Sequence, residues 1–192
     1  NGIKYAFLAY TSVTNGLLPP SGKEYLTNIY SKEKAQKDIN KIKDKVDLII
    51  VSMHWGEEYV TTPNNSQKQI AKELSDMGVN LVIGNHAHMI EPVEKINNTL
   101  VFYALGNFIA AQDTNDKQTG ALVTLNINKD KNGKITFSNV KANLLYTYFK
   151  GSHNFKVYPY TKLNNSLLNN YETYYNKYKG VLTKYTNIVE VE

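Results

Sequence analysis

DLIIVSMHWGEEYVTTPNNSQKQIAKELSDMGVNLVIGNHAHMIEP, residues 47–92, passes from a strand pattern to a helical one and back. Asp47 to Met53 is a short apolar run rich in β-branched residues, the signature of a central strand covered on both faces. After a polar loop, Ile70, Ala71, Leu74 and Met77 recur at helical spacing behind a cap at Asn65 or Ser66, and Gly78 is placed to end the helix. Val79 to Gly84 reads as a second strand. Strand, helix, strand predicts two parallel strands joined by a right-handed crossover. Parallel strands bring their carboxyl ends to one edge of a sheet, where open α/β sheets bind ligands. His54 and the pair His86 and His88 each follow such an end, so they are expected to share one cleft.

Working outward, Ile3 to Tyr10 reads as a buried strand, and the turn-rich NGLLPPSGK after it as a loop. Ser31 is placed to cap a helix whose apolar stripe is Ala35, Ile39, Ile42 and Val46. Beyond Pro92 strands come in pairs: PVEKI with TLVFYAL around Asn97 and Asn98, then TGALVTLNI with KITFSNVKANLLYTYF around a turn containing Asn132 and Gly133. From Leu163 onward, Leu167, Tyr171, Tyr174, Tyr178, Leu182 and Tyr185 fit a helical stripe behind Asn164, Asn165 and Ser166. The expected organisation is a main unit, 1–150, and a Tyr-rich helical extension, 151–192, packed on it. A stacking platform for carbohydrate or bases is the alternative reading of those tyrosines.

A chain of 192 residues with 42% hydrophobic content supports one sizeable core. No apolar run reaches the roughly 18 residues of a membrane helix. The sequence opens at Asn1 without a leader pattern, so any anchor is expected in a segment outside it. Cysteine is absent, which excludes disulfides, thiolate metal sites and cysteine nucleophiles. Arginine is absent too, and the net charge of +5 comes from lysine. In KEKAQKDINKIKDK, Lys32 to Lys45, those lysines alternate with acids as on a solvated helix face, and no nucleic-acid partner is expected.

Residues i and i+2 of an extended segment project to the same side, so His86 and His88 are expected to present two imidazoles to one point. His54 adds a third from the neighbouring loop. Three neutral imidazoles suit zinc, or iron and manganese when carboxylates join them. The competing reading is a packed His86, an exposed His88 and no metal. Among the nearby carboxylates Glu57, Glu58, Glu91 and Glu94, Glu57 ranks first as oxygen ligand or general base. Asn85, Glu91 and Asn107 are expected to line the cleft, and His153 to lie outside it.

The segments IIVSMHWGEEY, QKQIAKELSDMGVNLVIGNHAHMIEPVE and VFYALGNF, in that order and spacing, resemble the poly-γ-glutamate capsule biosynthesis family (CapA, or PGA_cap) over roughly Ile3 to Ile127. The resemblance implies a branch of the calcineurin-like metallophosphoesterases, with a four-layer α/β/β/α sandwich and a binuclear metal centre. It matches His54, His86 and His88 to metal ligands for one or two divalent ions, Zn, Mn or Fe. Ala87 stands where the family often has proline and Glu91 where it often has glutamine, and no acidic residue closely follows GNF. The amino-terminal Gly-Asp, Asn-Glu and Asn-Asn-His elements are absent, so an amino-terminal segment is expected to complete the domain. The implied role is capsule polymer synthesis or export at the outer face of a bacterial cell, alongside other capsule synthase components and a polyanionic polymer such as poly-γ-glutamate. Metal-dependent phosphoester hydrolysis and non-catalytic polyanion binding are the alternatives.

Overall fold

A computed structural model describes residues 2–151 and 153–192. In chain order they carry β1 (Tyr5–Thr11), α1 (Lys32–Ile42), β2 (Leu48–His54), α2 (Asn65–Asp76), β3 (Leu81–Asn85), β4 (Val93–Ile96), β5 (Thr99–Phe102), β6 (Thr119–Lys129), β7 (Ile135–Lys150), β8 (His153–Pro159), α3 (Tyr171–Leu182) and β9 (Val189–Val191). The first sheet has the order β1-β2-β3-β5-β4, with β1, β2, β3 and β5 parallel and β4 antiparallel to β5. The second joins β6, β7 and β8 antiparallel, and β9 adds to β7 in parallel. Residues 151–192 therefore contribute two strands to the second sheet as well as a helix.

Local chemistry sets the boundaries. The Ser31 hydroxyl accepts the Lys34 N–H at the start of α1. Asn64, one residue before the expected cap, forms a reciprocal capping box with Gln67 at the start of α2. Gly78, at φ +90°, ends that helix in the left-handed conformation.

Two cores follow from side-chain alternation along the strands. Ile49, Val51 and Met53 of β2, with Val82 and Val101, pack against Ala35, Ile39, Ile70 and Leu74 of the helices. On the opposite face Leu81, Leu100 and Phe102 meet Val140, Ala142, Leu144 and Tyr146 of the second sheet and Tyr178 and Leu182 of α3. Ser52 and His54 occupy that second face, because they alternate with the helix-facing residues of β2.

Three expectations are corrected. β1 is the outer strand of its sheet rather than a buried one. Tyr10 packs inward, but Tyr5 and Phe7, on the face that carries His54, are 66% and 56% exposed. The last helix starts at Tyr171, since the Asn164 side chain is spent on a turn, accepting from Ser166 and Leu167 N–H, and Asn170 sits left-handed at φ +56°. The strand expected over TLVFYAL is shorter: β5 stops at Phe102, and Leu105 and Gly106 make only single bridges to Ile90 and Gly120.

Candidate metal centre

His54 is the last residue of β2 and lies in register with Thr11 of β1 and Asn85 of β3. Its Nδ1 is 2.9 Å from Thr11 Oγ1 and 3.0 Å from the carbonyl of Val13. A carbonyl only accepts, so the ring hydrogen belongs on Nδ1 and the Nε2 lone pair is left free. Just past β3, the His86 ring stands 4.4 Å from that of His54, centroid to centroid. Burial first, then the neighbouring His54, lowers the pKa of His86, which favours the neutral imidazole that metals require.

The paired histidines are not on an extended segment. β3 stops at Asn85, and His86 and His88 take φ values of +104° and +55°, unusual for residues with side chains. The loop after His54 holds this bend in place. Trp55 N–H donates to the Asn85 carbonyl at 3.1 Å, and Tyr59 N–H donates to the Ala87 carbonyl at 2.7 Å. His86 thereby meets His54, whereas the His88 ring stacks on Tyr59 at 5.8 Å. His88 is oriented by Asn107, whose Nδ2 donates to the carbonyls of His88 and Lys117 at 3.3 and 2.8 Å. That fixes the amide with Oδ1 facing His88 Nδ1, at 2.9 Å, and again leaves Nε2 free. The free nitrogen faces Glu58 Oε1 at 4.0 Å.

Asn85 lies beside this cluster and donates to Ser52 Oγ and the Ile83 carbonyl, both at 3.3 Å. Glu57, first in the sequence ranking, instead lines an adjoining cleft of about 580 Å³ with Tyr59, Thr61, Met89, Asp116 and Lys177. Glu91 is not at the cleft surface; it is fully buried beneath the loop and accepts from Gln67 Nε2 at 2.7 Å. Residue spacing carries no sign of Thr11, Val13, Tyr59 or Gln67 beside these histidines. Their contacts come from a hydroxyl on the neighbouring strand, backbone groups, a positive φ and a helix cap, which spacing along the chain does not reveal.

The donor arrangement fits a metal in one respect and falls short in another. His54 and His88 each give Nδ1 to an oxygen acceptor and present Nε2 outward, as metal-bound histidines do. Among the described residues, however, no three His, Asp or Glu side chains converge closely enough to hold an ion.

Imidazoles gathered past the ends of parallel strands in a mixed α/β fold lie at the edge where open α/β sheets bind ligands. Residues 1–112 match the family described as bacterial capsule synthesis protein PGA_cap, and the chain belongs to that family, which is of the metallophosphatase-like type. It is similar to the PGA biosynthesis protein CapA of Bacillus subtilis (strain 168), with 33% identity over 144 residues that cover 70% of this chain and 35% of that protein. The capsule biosynthesis protein CapA of Bacillus anthracis is 30% identical over 127 residues, 64% of this chain and 31% of that protein. A probable polyglutamine synthesis accessory protein of Mycobacterium tuberculosis is 34% identical over 65 residues, covering 33% of this chain and 17% of that protein. The chain spans about a third of the length of the Bacillus relatives it matches.

Proposed function

We propose that this chain is the histidine-bearing part of an accessory protein for synthesis or export of a poly-γ-glutamate-type capsule polymer, acting at the outer face of a bacterial cell. In this reading His54 and His86, with His88 beside them, hold a divalent ion, Zn, Mn or Fe, at the carboxyl edge of the first sheet. The observation that carries it is the 4.4 Å approach of the His54 and His86 rings, delivered by two adjacent parallel strands. The ion would supply Lewis-acid chemistry or a grip on anionic groups of the polymer. Around it, Thr11, Val13 and Asn107 orient imidazoles, and Glu58 is the carboxylate nearest to His88.

The donor set is incomplete, and a second segment of the longer polypeptide is proposed to complete it. The first sheet supports this. Tyr5 and Phe7 are exposed on the face that holds His54, so the first sheet is open to solvent on that face along β1. An added layer or strand there would complete a four-layer arrangement and bring its own carboxyl-end residues to the same rim. Metal-dependent phosphoester hydrolysis is the second reading, favoured by the approach of Glu58 to the imidazoles.

Replacing His86 by alanine in the full-length protein tests the role. The expected result is loss of bound metal on elemental analysis and loss of capsule from a cell that depends on this gene. Normal capsule with no metal in either protein would overturn the reading. Turnover of a chromogenic phosphodiester, abolished by the same substitution, would favour the hydrolase.

A further inference from the structure

Gln67 does more than cap its helix. Its Oε1 accepts the Asn64 N–H at 2.9 Å, and its Nε2 donates to Glu91 Oε2 at 2.7 Å. Glu91 follows His86 and His88 on the second histidine loop. The same carboxamide lies against Gly56, which follows His54 on the first: a Cβ at Gly56 would fall 2.6 to 2.7 Å from Gln67 Cδ, Nε2 and Oε1, and its φ is +92°. One fully buried side chain thus touches both loops, at positions where one partner is a glycine and the other a buried carboxyl. Glu91 Oε1 has no hydrogen-bond partner among the described residues. A carboxyl left half-satisfied in a core is costly if its place serves only helix capping, because Asn64 and Gln67 complete the box without it.

We propose that Gln67 and Glu91 are a positioning pair that sets the spacing of the two histidine loops, and through it the approach of His54 to His86. The carboxamide acts as a spacer with two ends. Its face bears on the backbone at Gly56, and its amide draws the Glu91 segment inward, so the loops are referred to the start of α2 rather than to each other alone. Burial favours the uncharged carboxylic acid at Glu91, which makes the position equivalent in charge and shape to glutamine.

The inference rests on the reading of His54 and His86 as metal ligands, so one measurement is made without metal. In the full-length protein, zinc affinity, the imidazole resonances of ¹⁵N-histidine in metal-free protein, and the urea midpoint are compared for Gln67→Leu, Glu91→Leu, Glu91→Gln and Asn64→Ala. Gln67→Leu is expected to weaken zinc binding about tenfold or more, the scale of lost outer-shell support, and to shift the His54 and His86 resonances. Glu91→Leu leaves the Asn64 cap intact and should reproduce both effects even if Gln67→Leu does not fold. Glu91→Gln should stay within about twofold of wild type. Asn64→Ala should lower the urea midpoint and leave zinc affinity and resonances alone. A lower midpoint for Gln67→Leu or Glu91→Leu, with zinc affinity and imidazole resonances unchanged, would overturn the proposal and leave a structural cap. Wild-type protein that takes up no zinc would refute the metal reading only; shifted resonances would still support the positioning pair, and unchanged ones would reject it.

Discussion

Glu91 is a carboxyl group with no accessible surface and, among the described residues, one hydrogen bond and no basic partner. Burial pushes its pKa up to about 7, and the bond from Gln67 offsets this only in part. The folded chain therefore binds this proton more tightly than the unfolded chain, whose glutamate titrates near pH 4. Stability from the protonated form is complete below that value, declines as pH rises towards 7, and levels off above it. The decline is expected to be about 4 kcal/mol at most. Urea unfolding at a series of pH values should show it, and Glu91→Gln should remove most of the slope. A wild-type slope unchanged in the variant would assign the effect elsewhere. At this scale the sequence singled out the histidines more clearly than the way they are held. The H-x-H pair and His54 stand out by type and position, yet the means of bringing them together is a bend with two positive φ angles rather than strand alternation. Glu57 and Glu58 are adjacent and chemically alike, and only the turn of the loop decides that Glu58 faces His88.

Among the elements, the βαβ unit was the most legible, since two β-branched runs flank one amphipathic helix with Gly78 at its end. Its tightest point is Gly84 of β3. A Cβ there would fall 1.9 Å from the Tyr103 carbonyl oxygen and 2.4 Å from Trp55 Nε1, the pair joined by a 2.9 Å hydrogen bond. Gly84→Ala must separate backbone from indole, and a cost of about 3 kcal/mol is expected. Trp55 is the single tryptophan of the chain, so its emission during urea unfolding reads the change directly; an unaltered midpoint would show that the indole moves freely. The elements that sequence placed less well are those whose surroundings decide. IKYAFLAY is apolar enough for a central strand, but among the described residues its outer edge is paired only near its carboxyl end, where Thr11 bridges to Ile29 and Asn28 Nδ2 donates to the Ala9 carbonyl. The tyrosine stripe from Leu167 to Tyr185 has helical spacing throughout, yet turns built by Asn164 and Asn170 confine the helix to its middle.

For the whole molecule, the exposed face of β1 and the neighbouring imidazoles lie on the same side. Tyr5, Phe7 and Thr11 share one face of β1 with His54 at its end, so a segment laid along that flank reaches the imidazoles. Phe7→Ser should then change the stability of residues 1–192 alone by no more than about 0.5 kcal/mol, as for an exposed site. In the full-length protein the same change should cost about 3 kcal/mol, as for a buried aromatic ring. Equal small effects in both would mean that the flank stays open. The most direct test of shared ligation by His54 and His86 is X-ray absorption at the metal edge of full-length protein purified without chelator. Joint ligation predicts imidazole nitrogen at about 2.0–2.1 Å if the ion is zinc, with fewer such ligands after either His54→Ala or His86→Ala. Bound metal with no imidazole nitrogen in its shell, or a shell unchanged in both variants, would contradict it.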